Sequence, residues 1–216
     1  VLHIVETEKP FGVIVQFGGQ TPLNLATPLK RSGVPILGTQ PESIDRAEDR
    51  RQFQAMLQKL GLIQPPNDTA MSVAASIAIA DRIGYPVIVR PSFVLGGRAM
   101  KIVYDRKDLE NFTQEAIKVS PGHPVLIDKF LEDAVEVDVD AISDGQHSII
   151  GGIMEHIEAA GVHSGDATMV FPPQKLYFET IRRIKKISKQ IAEALQISGP
   201  FNMQFLAKDN DIKVIE

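Results

Sequence analysis

The 216-residue chain contains no cysteine, which excludes disulfide bonds and thiolate metal centres and suits a cytosolic protein. It also lacks any apolar run near the ~18 residues that a membrane-spanning helix needs. Its opening residues show no basic-then-apolar leader pattern. The expectation is a soluble, cytoplasmic protein without a membrane partner. Runs rich in Lys and Arg are missing too. With 23 basic against 27 acidic residues, net charge −4 and pI about 5.8, the chain has no electrostatic footprint for nucleic acid. Any polyanion has to be met at a local site. There is no internal repeat and no low-complexity tract.

What is present is ordinary for a protein with a core: 44% of residues are apolar. Residues 11–17 (FGVIVQF) form a short β-branched run followed directly by Gly18-Gly19-Gln20-Thr21. A helical pattern over about 22–32 carries Leu23, Leu25 and Leu29 and stops at Gly33. Pro28 inside it argues against an unbroken helix. Residues 34–37 read as a second strand, so the segment is a βαβ unit of a parallel sheet. Over 43–60, Ile44, Ala47, Phe53, Met56, Leu57 and Leu60 recur at helical spacing. Residues 64–68 (QPPND) look like a linker. The next helix spans 72–83, with Ser72 as N-cap and Gly84 beyond its end.

The middle becomes strand-rich, with strands expected at 86–90, 99–104, 125–129, 135–142 and 148–154 and a helix at 109–119. Strands in runs indicate an antiparallel α+β element. Ile181, Ile184, Ile187, Ile191 and Leu195 share one face of a long helix, and residues 201–216 read as a hairpin turning at Asp209-Asn210. The chain opens on Val1 without Met and closes in a strand pattern at Glu216. The expectation is therefore a piece truncated at both ends.

Several clusters could carry chemistry. Residues 90–100 (RPSFVLGGRAM) place a strand, a basic residue and a Gly-Gly tip in sequence. Such glycines let backbone amides approach phosphate oxygens while arginines neutralise charge; a plain hairpin turn is the alternative. Residues 128–131 (DKFL) offer a strand end whose backbone could meet an adenine edge, with Glu136 available to ribose hydroxyls; a solvated strand end is the alternative. In 135–140 (VEVDVD), strict alternation puts Glu136, Asp138 and Asp140 on one face. That face is either exposed or the rim of a site. Residues 155–166 pack Glu, His, Ser and Asp into a Gly-broken loop, and His156 and His163 find no third ligand at zinc spacing. Gln204 and Glu216, on consecutive strands of the closing hairpin, are oxygen donors that suit Mg²⁺; two exposed polar residues are the alternative. A two-residue turn would set Gln204 opposite Ile215, so a loop with one bulged residue is expected, setting Gln204 opposite Glu216.

Together these residues resemble the ATP-grasp superfamily, and specifically the large chain of carbamoyl-phosphate synthase. The matching segments are 18–22 (GGQTP), 44–50 (IDRAEDR), 89–92 (VRPS) with 96–100 (GGRAM), 135–140 and 151–166. Residues 96–100 and 154–158 (MEHIE) resemble the second, C-terminal half of that chain. The resemblance implies an α/β and α+β architecture. Residues 1–40 would be the C-terminal part of a Rossmann-like pre-ATP-grasp domain, and 41–216 a C-terminally truncated, two-lobed ATP-grasp domain with nucleotide between its lobes.

The resemblance also implies roles. Arg90, under the flexible Gly96-Gly97 loop, and Arg98 would supply the catalytic positive charge, with Arg90 on the ATP phosphates. Lys129 and Leu131 would line the adenine, Glu136 the ribose, and Gly161, Val162, His163 and Ser164 would touch the nucleotide. Gln204 and Glu216 would bind two divalent ions, Mg²⁺ or Mn²⁺. The implied reaction is carbamate plus ATP giving carbamoyl phosphate and ADP, with a glutaminase small subunit as partner and a place in arginine or pyrimidine biosynthesis. Two alternatives are another ATP-grasp ligase of biotin carboxylase type, against which Arg90 and residues 162–166 (VHSGD) argue, and a nucleotide-binding module without turnover. The 216-residue piece itself is expected to be inactive.

Overall fold

The computed structural model describes residues 1–91, 100–119, 124–161, 165 and 167–216. Along the chain the elements are α1 (Leu2–Glu8), β1 (Val13–Ile14), α2 (Gln20–Arg31), β2 (Ile36–Leu37), α3 (Pro41–Glu48), α4 (Arg50–Lys59), β3 (Asn67–Ala70), α5 (Val73–Ile83) and β4 (Val87–Pro91). There follow β5 (Lys101–Val103), α6 (Arg106–Val119), β6 (Val125–Lys129), β7 (Val135–Asp144), β8 (Ser148–His156), β9 (Met169–Val170), α7 (Phe178–Ala194), β10 (Ser198–Lys208) and β11 (Asp211–Val214). They divide into two compact units. One comprises Val1–Ile63, Val137–Glu155 and Val170–Glu216; the other comprises Gln64–Glu136 and His156–Met169. Among the described residues no helix is long and apolar enough to cross a membrane.

In the first unit the βαβ pattern is realised. Strands β1 and β2 pair in parallel, Val13 opposite Ile36, and Val15, Ala26, Leu29, Val34, Ile36 and Ile44 form a common core. Helix α2 continues through Pro28, contrary to expectation. Pro28 is exposed and the fourth residue from the end of the helix, so it gives up one helical bond without breaking the element. The single helix expected over 43–60 is two helices. Asp49 takes an extended ψ of 110° and caps α4, its carboxylate accepting from the Gln52 amide at 2.8 Å. The closing part of this unit contributes to a five-stranded sheet ordered β11-β10-β7-β8-β9. Helix α7 turns Ile184, Ile187 and Ile191 inward and packs on β10 and β11.

The second unit holds a four-stranded antiparallel sheet ordered β3-β6-β4-β5. Strand β3 occupies part of what reads as a linker: pairing with β6, Asn67 opposite Asp128, overrides the turn-forming composition of 64–68. Helices α5 and α6 cover one face, enclosing Ile79, Ala80, Val87, Val89, Val103, Leu109, Val125 and Ile127. The ends of α5 follow the expected chemistry. The Ser72 hydroxyl accepts from the Ala75 amide at 3.2 Å, and Gly84 terminates the helix at φ 84°.

Candidate functional site

In the second unit, strand alternation sends Val87, Val89, Val125 and Ile127 into the helix-covered core. Ile88, Arg90, Leu126 and Asp128 therefore lie on the opposite sheet face. The register sets Ile88 opposite Asp128 and Arg90 opposite Leu126, which makes Arg90 and Asp128 a diagonal pair. An Arg90 Nη2 donates to Asp128 Oδ2 at 2.9 Å, with the two side chains 36% and 14% exposed. The Arg90 Nε is buried and, among the described residues, has no hydrogen-bond partner. A buried donor on a cationic, planar group calls for an anionic acceptor. Gly96, Gly97 and Arg98, expected beside it, lie outside the described residues.

Glu136 is buried, 6% exposed, and its Oε2 accepts from the backbone N–H of Gly161 at 3.1 Å. Gly161 has φ 99°, and a Cβ there would stand 3.2 Å from Ile88 Cδ1 and 3.6 Å from Phe130 Cε2. The loop backbone is thus laid over the same sheet face that carries Arg90 and Asp128. The base of this loop is closed by Ile157 N–H to Thr168 O at 2.9 Å and Thr168 N–H to Glu158 Oε2 at 2.8 Å. Hydrogen bonding from the Thr168 side chain, then from Glu158's own backbone, holds the Glu158 carboxyl below the usual carboxylate range. Val162, His163 and Ser164 fall outside the described residues.

Lys129 points its ammonium at the end of α5, donating to Gly84 O at 3.0 Å and Tyr85 O at 2.8 Å. Burial is the main cause that raises the Tyr85 phenol above its ordinary value. Leu131 is half-buried in the connector to β7 and accepts from the Ala134 amide at 3.3 Å, across a turn in which Asp133 takes φ 58°. Arg90, Asp128, Glu136 and Gly161 are therefore gathered on one side of this unit.

The first unit gathers a second group, where β10 lies beside β7. Asp138 is 3% exposed and Gln204 9%. Asp138 Oδ1 accepts from Gln204 Nε2 at 3.1 Å and from Asn202 Nδ2 at 3.2 Å. Asn202 Nδ2 also reaches Asp140 Oδ1 at 2.8 Å. Glu136 and Asp138 are thus buried, hydrogen-bonded acids, and only Asp140 of that alternating trio is exposed. A Gln204 amide whose nitrogen is held by a carboxylate keeps its oxygen for another partner. Glu216, whose backbone pairs with that of Gln204, has an exposed carboxylate, and amide and carboxylate oxygens are the donor type that Mg²⁺ takes.

The expected bulged loop in the closing hairpin is absent. Lys208 pairs with Asp211 and Phe205 with Val214 across a two-residue turn. Asp209 takes φ 54° there, a conformation that Asp tolerates. The slip occurs at the other end of the ladder. Ile215 N–H donates to Gln204 O at 2.8 Å, while Gln204 N–H donates to Glu216 O at 2.7 Å. Ile215 and Glu216 thus both stand against Gln204 in a β-bulge. Sequence reasoning passed over Asn202, although its i, i+2 spacing to Gln204 matches that of Asp138 to Asp140.

Comparison with solved structures defines the class. The fold is shared with a biotin carboxylase from Campylobacter jejuni crystallised with β-γ-ATP, at TM-score 0.81 and 21% identity over the whole of this chain and 50% of that one. It is also shared with the biotin carboxylase domain of a Hydrogenobacter thermophilus 2-oxoglutarate carboxylase, at TM-score 0.79, 19% identity and 49% of that chain. What is shared is a mixed α/β fold, at identities that show the fold alone.

The chain belongs to the carbamoyl-phosphate synthase large-chain family. Residues 49–216 match the family described as "Carbamoyl-phosphate synthase L chain, ATP binding domain", and 1–46 match "Carbamoyl phosphate synthase preATP-grasp domain". It is 53% identical over its full length to the carbamoyl phosphate synthase large chain, C-terminal section, of Aquifex aeolicus, spanning 40% of that protein. It is 58% identical over 99% of its length to the large chain of Methanothermobacter thermautotrophicus, spanning 20% of it.

Proposed function

We propose that this chain binds ATP with Mg²⁺ or Mn²⁺ and, within a glutamine-using carbamoyl phosphate synthase, phosphorylates carbamate. One carbamate oxygen attacks the γ-phosphorus, the bond to the β,γ-bridging oxygen breaks, and carbamoyl phosphate and ADP result. Carbamate is already an anionic nucleophile, so no general base is required. The task is to bring two anions together, and catalysis rests on positioning and on positive charge. Arg90 directs its guanidinium at the phosphates, and Arg98, beside Gly96 and Gly97, adds a second cation. Glu136 accepts from the ribose hydroxyls, Lys129 and Leu131 border the adenine, and the loop 161–164 touches the nucleotide. Gln204 and Glu216 ligate the divalent ions, which withdraw charge from the phosphate oxygens when bound. Residues 1–40 are assigned to the pre-ATP-grasp segment and 41–216 to the ATP-grasp domain.

The observation that carries this reading is Arg90, a half-buried arginine whose buried Nε has no partner among the described residues, on the sheet face overlaid by the Gly161 loop. Its test is carbamate-dependent ADP release by a carbamoyl phosphate synthase large chain containing this sequence. Arg90→Ala should lower the rate about 100-fold, the typical cost of one charge-stabilising donor, with an unchanged melting temperature. Wild-type turnover in the variant contradicts the assignment.

A second reading is favoured by the chain spanning only 40% and 20% of these two relatives: alone, it binds nucleotide without turning it over. Steady ADP production from the 216-residue chain with carbamate contradicts that reading.

A further inference from the structure

Given that Gln204 is a metal ligand, as assigned above, we infer that Asp138 is its positioning residue. It fixes the carboxamide so that oxygen rather than nitrogen meets the cation. The two ends of a glutamine amide have nearly the same shape and opposite hydrogen-bond polarity. A glutamine that ligates a divalent ion must therefore be held against rotation by half a turn, since an inward NH₂ would present hydrogens to the cation.

Asp138 supplies that hold. Asp138 Oδ1 accepts from Gln204 Nε2 at 3.1 Å, which sets the NH₂ end of the amide towards Asp138 and its oxygen away from it. At 3% exposure little water competes for the contact. Asn202 braces the carboxylate from β10, donating to the same Oδ1 at 3.2 Å while tethered to Asp140 at 2.8 Å. The backbone of Gln204 is fixed in turn by its paired bonds to Ile215 and Glu216. Both the main chain and the amide plane of Gln204 are thus set before any cation arrives. This is the outer-shell arrangement by which proteins orient ligands.

The test is Mn²⁺ affinity in the presence of adenylyl imidodiphosphate, read from free Mn²⁺ by electron paramagnetic resonance, with a melting curve for each variant. Gln204→Ala should weaken Mn²⁺ binding about tenfold or more, and Asp138→Leu, nearly isosteric but with no acceptor, should do the same. Asp138→Asn keeps an oxygen at the Oδ1 position and should stay within about threefold of wild type. An unchanged affinity in Asp138→Leu, with Gln204→Ala impaired, overturns the inference and leaves Gln204 a ligand. An unchanged affinity in Gln204→Ala overturns both. If Asp138→Asn falls as far as Asp138→Leu, negative charge rather than orientation is at work, and the inference again fails. A further measurement requires no change at position 138. In the Mg²⁺-saturated wild type, the Gln204 side-chain amide protons should stay protected from solvent exchange, and fast exchange overturns the proposal.

Discussion

Glycine 161 shows how much one residue can be asked to do. Its φ of 99° strains any side chain, a Cβ there would crowd Ile88 Cδ1 at 3.2 Å, and its N–H donates to the buried Glu136. Gly161→Ala should destabilise the protein by about 1–3 kcal/mol through left-handed strain; relieving that strain moves the amide that Glu136 accepts from and so weakens their contact as well, and chemical denaturation will show the loss. Glu136→Ala removes the partner of that N–H and should cost a similar ~1–3 kcal/mol. The two effects should be less than additive, because both changes act on one contact. Additive losses in a double-mutant cycle would mean that the loop is held elsewhere. Arg90 differs in kind. Its ion pair with Asp128 is partly exposed, so it contributes little to stability. Its removal is expected to show in turnover rather than in melting.

Among elements, one junction of the first unit ties the β1–α2 connection to the start of β10. Gln16 Oε1 accepts from Thr39 N–H at 3.1 Å, and the Thr39 hydroxyl both accepts from Ser198 N–H and donates to Ser198 O, each at 3.0 Å. Gly38 sits inside this knot. A Cβ there would lie 2.2 Å from Gln16 Oε1 and 3.1 Å from Ser198 O, whereas Gly33, also at positive φ, faces open space. Gly33→Ala should therefore cost about 1 kcal/mol from backbone strain, and Gly38→Ala about 1–3 kcal/mol more from crowding. Equal losses in thermal denaturation would show that the junction yields freely.

What was legible at this scale followed local rules. The βαβ start, the caps of α5, the amphipathic α7 and the alternating β7 could all be read from periodicity and capping residues. What was not legible depended on distant partners. Strand β3 exists because β6 pairs with it. The break at Asp49 hid inside an unbroken apolar spacing, although an Asp followed by helix formers is itself an N-cap signal. The bulged loop expected at Asp209-Asn210 is contradicted, because Asp209 accepts a left-handed φ and closes a two-residue turn; the bulge lies instead at Ile215 and Glu216. The same limit applied to Glu136 and Asp138: alternation put them on one face, and only the neighbouring loop and strand made that face buried.

At the scale of the whole molecule, each of the two compact units carries its own cluster of polar groups. In one lie Arg90 and Glu136, the residues proposed for phosphate and ribose. In the other lie Gln204 and Glu216, the residues proposed for a divalent ion. Removing the metal with a chelator should therefore weaken nucleotide binding while leaving the fold intact, because the core clusters are built from apolar side chains. Isothermal titration with adenylyl imidodiphosphate, before and after chelation, checks this. A drop in melting temperature on chelation without nucleotide would assign the ion a structural role instead.

The most direct test of the central claim runs the proposed transfer backwards. A carbamoyl phosphate synthase large chain containing this sequence, given ADP, Mg²⁺ and carbamoyl phosphate, should form ATP, and Arg90→Ala should lower that rate by about two orders of magnitude. ATP formation that is absent in the wild type, or equally fast in the variant, would contradict the account.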